Sequence, residues 1–149
     1  EAAENKDLQE ACHTILLKCA EKNIPGMIAG LSHERPEVRF WAAYGLGNVK
    51  EHDEVTLSAL NRTLADESDA VRIAAARALC LAGKPETALK ILADNIDNSN
   101  RITGMYAALF IEDLPLPLIK SVLPEIHKAL NNPYSFTQRI ASRLIEKSK

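Results

Sequence analysis

Two stretches of this 149-residue chain overlay at a fixed offset, and that offset constrains the fold more than any single residue does. Pro36-Glu37-Val38-Arg39-Phe40-Trp41-Ala42-Ala43-Tyr44-Gly45-Leu46 aligns with Asp69-Ala70-Val71-Arg72-Ile73-Ala74-Ala75-Ala76-Arg77-Ala78-Leu79, with Val, Arg and Leu each recurring after 33 residues. A period of this size marks stacked supersecondary units, each too small to bury its apolar face alone. A third copy, Arg101 to Leu109, is degenerate: its Leu109 lies 30 residues after Leu79, and Ile102 stands at the arginine position. Phe136 to Leu144 is a fourth candidate whose arginine and leucine cannot both be aligned, as expected of a terminal cap.

Each copy follows another helical stretch, so the unit is a two-helix hairpin. Leu57, Leu60 and Leu64 fall on one helical face, and Asp66-Glu67-Ser68-Asp69 then supplies a turn and an N-cap. Val71, Ala74, Ala75, Ala78, Leu79 and Ala82 form a small-residue stripe that admits close helix packing. Gly83 closes that helix and Pro85 opens the next. Pro124, inside the apolar run Leu118 to Leu130, predicts a kinked or restarted helix. Leu8, Ala11, Cys12, Ile15, Leu16 and Cys19 share a face of an opening helix. The sequence therefore predicts a single all-α domain: an α-solenoid (α-α superhelix) of about four helical hairpins over 23–50, 54–83, 84–114 and 115–147, with an N-terminal capping helix in 1–22.

Composition removes several functional classes. Eighteen Lys and Arg against 20 Asp and Glu leave a net charge of -2, without the basic footprint of a nucleic-acid binder. The longest apolar runs, such as Ile15-Leu16-Leu17, fall far short of the roughly 20 residues needed to span a bilayer. The chain begins at Glu1 with no Met and no signal-peptide pattern, and so reads as a mature chain or a piece of a longer one.

Cys12 and Cys19 lie about 10 Å apart along one helix, too far for an easy disulfide. Cys80, among alanines and leucines, reads as a small buried hydrophobe. His13, His33, His52 and His127 share no metal spacing, and no nucleophile is paired with a base. No catalytic, cofactor-binding or metal-ligating residue is expected in this segment.

Six residues stand out. Arg39 and Arg72 recur at one repeat position, where a guanidinium either faces an anionic ligand or, the favoured reading, ties adjacent repeats together. Asp66 is the obvious partner, although His33 occupies its place in the preceding unit. Trp41 falls on the stripe of Val38, Ala42 and Leu46 and is expected in the core, with Trp41→Ala costing about 3–5 kcal/mol. Phe40 and Tyr44, four residues apart on a neighbouring face, either pack on the preceding helix or form an exposed patch; they are the candidate interface.

Val-Arg followed by an alanine-rich helix, after an Asp-containing turn, resembles HEAT repeats of the short bacterial kind also seen in phycobilisome-lyase-like proteins. A narrower resemblance rests on Val38 to Leu46 followed by Leu64 to Ala76, which is similar to the helical repeat tail behind the catalytic domain of some bacterial sulfatases. That resemblance implies an accessory, non-catalytic region of a larger, periplasmic or secreted sulfuric ester hydrolase, its calcium and its Cys/Ser-x-Pro-x-Arg motif lying in an upstream domain. None of the three cysteines here has a proline two residues on, so no catalytic residue carries over. The implied partner is a catalytic domain of the same chain. The alternative is a free-standing scaffold that binds a protein or peptide in a concave groove lined by the second helices of successive hairpins.

Overall fold

The computed structural model describes residues 23–149. The opening helix expected within 1–22, with Cys12, His13 and Cys19, lies outside the described residues. Within them the chain is all-α, an α-solenoid of nine α-helices without a strand. In order these are α1 (Ile24–Gly30), α2 (Pro36–Gly47), α3 (Glu54–Thr63), α4 (Asp69–Leu81), α5 (Ala88–Asp94), α6 (Arg101–Glu112), α7 (Leu116–Ser121), α8 (Leu123–Lys128) and α9 (Ser135–Lys147).

Two rows of helices run through the stack. The row of α2, α4, α6 and α9 is continuous, each helix packing on the next, while α1, α3, α5 and α8 flank it. Helix α4 is the centre: it touches α2, α3, α5 and α6, and its buried residues run without a break from Ile73 to Cys80. A helix apolar nearly all round is what a position with neighbours on every side requires, and the alanines of α4 supply it. Approach is closest where Gly47 of α2 meets α4; a Cβ on Gly47 would lie 3.0 Å from the Cα of Ala78.

Local chemistry sets the boundaries. The Asp53 carboxylate accepts the Thr56 N–H at 2.8 Å and caps α3, and Asn100 Oδ1 accepts the Ile102 and Thr103 N–H groups to cap α6. Gly83 ends α4 in the left-handed region at φ 77°, which lets the Lys84 N–H reach back to the Leu79 carbonyl at 2.8 Å. Ser68 stands at the α4 N-cap position but its hydroxyl does not cap; Asp66 Oδ1 instead accepts the Ser68 N–H at 2.9 Å and shapes the turn. Pro124 restarts a helix: α7 stops at Ser121, Val122 departs from helical geometry at φ -114° and ψ 18°, and α8 begins with the proline in its first turn. The exposed residues of α9 include Arg139, Ser142, Arg143, Glu146 and Lys147 beside Phe136, a largely polar end to the stack.

The core position expected for Trp41 is not what forms. Trp41 is 59% exposed; Ala42 and Leu46 of the expected stripe are buried, and the rest of the inward face is Arg39, Phe40, Ala43 and Gly47, so its centre lies about one residue round the helix. The side of α2 turned to α4 is the one that carries Gly47, close against Ala78, and Trp41 lies off it.

Candidate functional site: an aromatic groove beside a polar spine

Arg39 belongs to the architecture. Its Nε and Nη2 donate to the two carboxylate oxygens of Asp66 at 2.8 and 3.0 Å, and its Nη1 donates to the carbonyls of His33 and Glu34, both at 3.0 Å. The bidentate fork is held with the arginine only 7% exposed. In the next unit, Arg72 Nη1 donates to the Asp66 carbonyl at 2.6 Å. Both arginines thus bond the carbonyl six residues back, which explains why His33 and Asp66 can exchange at that place: the recurring acceptor is backbone. The Asp66 side chain serves the preceding repeat instead. At the 30-residue offset of the third copy Ile96 stands where Asp66 does, and Arg72 pairs with Asp69 in its own first turn.

Amides and acids continue the ties along the stack. Asn98 Nδ2 donates to Asp69 Oδ2 at 2.9 Å, Asn132 Nδ2 to Asp97 Oδ1 at 2.7 Å, and Arg143 forks onto Glu112 at 2.9 and 2.7 Å. Burial alone would raise the pKa of Asp66; the hydrogen bonds from Arg39 and the Ser68 N–H, with the charges of Arg39 and Arg72, outweigh it and hold the carboxyl below its usual range. The hydrogen bonds that Arg39 donates to Asp66 and, with smaller effect, to Glu67 raise the Arg39 pKa against the pull of desolvation.

The aromatics form the second assembly. Phe40 is buried and sits 5.4 Å from Tyr106 and 6.3 Å from Phe110 of α6, reaching past the small side chains of α4. Tyr44 is half-buried, 5.8 Å from Phe110. Trp41 packs edge-on against both Phe40 and Tyr44, at 5.1 and 5.6 Å, and leaves most of its surface open. Of the two readings open for Phe40, packing is the one that forms, against α6, with one side of the residue still in the groove lining; the core expectation for Trp41 is the one overturned.

Arg77 is the residue that sequence reasoning passed over. It is 6% exposed, its guanidinium stacks 4.7 Å from the Tyr44 ring centroid and 5.4 Å from that of Phe110, and it donates to Asp113 Oδ2 at 2.9 Å and Asn48 Oδ1 at 3.1 Å. A signal was present: an arginine within Ala74-Ala75-Ala76-Arg77-Ala78 has no polar face to belong to.

Between the first turns of α2, α4 and α6 lies an open groove of about 320 Å³ lined by Pro36, Glu37, Phe40, Trp41, Ser68, Ala70, Ile102 and Tyr106. Its rims are Trp41 and Ile102, the latter 62% exposed. Among the described residues no cluster of His, Cys, Asp or Glu is arranged to hold a metal ion, and burial pushes the Cys80 thiol up to about 12, leaving it a protonated core residue. No helix among them is long and apolar enough to cross a membrane.

The family model described as HEAT repeats matches the chain over residues 2–80 and 24–109. No curated protein matches it. Among solved structures the chain is similar to one from the complex of CpcE and CpcF of phycocyanin lyase from Nostoc sp. PCC7120, with 22% identity and a TM-score of 0.47 over 83% of this chain. The present chain spans 64% of the length of that one. By the match of the family model over its repeats, the chain belongs to the HEAT repeat family.

Proposed function

We propose that the chain is a non-catalytic HEAT-repeat scaffold whose groove between α2, α4 and α6 receives a segment of a partner protein. One observation carries this reading: Trp41 and Ile102, two large apolar side chains each more than half exposed, face one groove from separate repeats. Single exposed apolar residues are ordinary, but a pair converging on a groove floored by packed aromatics is the anatomy of a contact site. The arginines that could have drawn an anionic ligand are committed to Asp66, Asp69 and Asp113. Attachment to a sulfatase catalytic domain rests on sequence resemblance alone, and the sequence upstream of Glu1 decides it.

The test is selection of binding peptides from a displayed library, followed by affinity measurement against variants. Trp41→Ala and Ile102→Ala should each weaken selected peptides by at least about tenfold, the scale of an interface anchor. Val55→Ala, at a 64% exposed residue on α3 outside the groove, should leave them unchanged. Peptides indifferent to Trp41 and Ile102 would refute the reading.

A further inference from the structure

We infer that the groove is built for a cationic side chain, so that the partner segment presents a lysine or arginine flanked by apolar residues. The inference rests on the groove being the binding surface and adds the chemistry of its anchor.

Three aromatic rings line the groove, Phe40, Trp41 and Tyr106, with Phe40 edge-to-face to Trp41 at 5.1 Å (interplanar angle 84°) and at 61° to Tyr106 at 5.4 Å. Rings set at steep angles make a corner rather than a flat shelf, and the negative faces of such rings attract ammonium and guanidinium groups, most strongly indole. The molecule already uses this contact nearby, where Arg77 stacks on Tyr44 and Phe110.

Charge points the same way. Glu37 is the single charged side chain among the residues lining the groove. Arg35 approaches it at 3.5 Å, but both are largely exposed, and a pair of that kind is weak enough for an incoming cation to displace. The N-terminal turns of α2, α4 and α6 all border the groove; Glu37 and Asp69 answer the positive ends of the first two, while α6 has no acidic residue in its first turn, which leaves Glu37 as the charge among the lining residues. An anionic anchor would meet a carboxylate and aromatic faces with no free guanidinium among the lining residues. A cation meets complementary charge and rings together.

Trp41 is the chain's one tryptophan, so its emission reports on this groove directly. The probes are three matched peptides, acetyl-Leu-Arg-Leu-amide and its Gln and Glu counterparts, titrated at constant ionic strength. The Arg peptide should perturb emission saturably in the millimolar range and bind about fivefold or more tighter than the Gln peptide, with the Glu peptide weakest. Glu37→Gln should reduce the preference for Arg, leaving the part that the rings supply, while the Gln peptide's affinity stays in place, a result that a folding defect cannot mimic. Equal binding of the Arg and Gln peptides, or an Arg preference that neither Glu37→Gln nor Trp41→Ala (the latter followed by NMR) reduces, overturns the cationic anchor and leaves the groove reading standing. Failure of all three to bind overturns both.

Discussion

Asp66 joins two repeats through different atoms: its carboxylate receives the fork of Arg39 from the preceding hairpin, at 2.8 and 3.0 Å, while its carbonyl receives Arg72 of its own hairpin at 2.6 Å. Because Arg39 is almost fully buried, removing its partner leaves a guanidinium short of acceptors. Asp66→Asn should destabilise the fold by about 1–3 kcal/mol, measured by urea unfolding at neutral pH. The same pair gives an acid dependence. A carboxyl whose folded pKa is depressed contributes stability that is complete above its unfolded pKa and is lost as pH falls through the folded one. The wild-type advantage over Asp66→Asn should thus be constant from about pH 5 to 7 and shrink below about pH 4. An advantage that grows on acidification would contradict the depressed carboxyl.

Trp41 and Phe40, adjacent in sequence, should respond oppositely to truncation. Phe40→Ala removes a buried ring that holds α2 to α6 and should cost about 3–5 kcal/mol. Trp41→Ala, at an exposed position, should cost less than about 1 kcal/mol, far below what a core tryptophan would imply. Thermal or urea denaturation followed by far-UV circular dichroism compares the two.

Arg77→Ala should destabilise by about 2–4 kcal/mol, because it opens a space between Tyr44 and Phe110 and frees Asn48 and Asp113 at once. Arg77→Lys should recover only part of that loss, since an ammonium cannot stack and fork together. Equal stability of Arg77→Lys and wild type would show that the planar group is not what matters.

Gly83→Ala should cost about 1 kcal/mol through backbone strain alone, as a Cβ there meets no neighbouring atom yet φ is 77°. Gly83→Asn should cost less, because asparagine tolerates the left-handed region better.

The repeat offset made the architecture legible, because a recurring Val-Arg and a recurring small-residue stripe report on how hairpins stack and not on any one contact. The rotation of α2 about its axis was not legible: Val38, Ala42 and Leu46 define a stripe that includes Trp41, and the buried face is instead centred nearer Arg39, Ala43 and Gly47, which meets α4 at Ala78. Similarly, the ladder looked broken at His33 because side chains were compared, whereas the recurring acceptor is the main-chain carbonyl of His33 and of Asp66. The groove itself unites residues from three hairpins, and the contact of Phe40 with Tyr106, 66 residues on, depends on how α2, α4 and α6 stack, which no local pattern encodes.

The central claim, that a partner segment seats in the groove at the first turns of α2, α4 and α6, is tested most directly by amide hydrogen exchange with and without a bound selected peptide. New protection should fall on the segments around Pro36–Tyr44, Ser68–Ala74 and Arg101–Phe110, with α3 and α5 unchanged. Protection centred on α3 or α5, with the groove segments unaffected, would contradict the account.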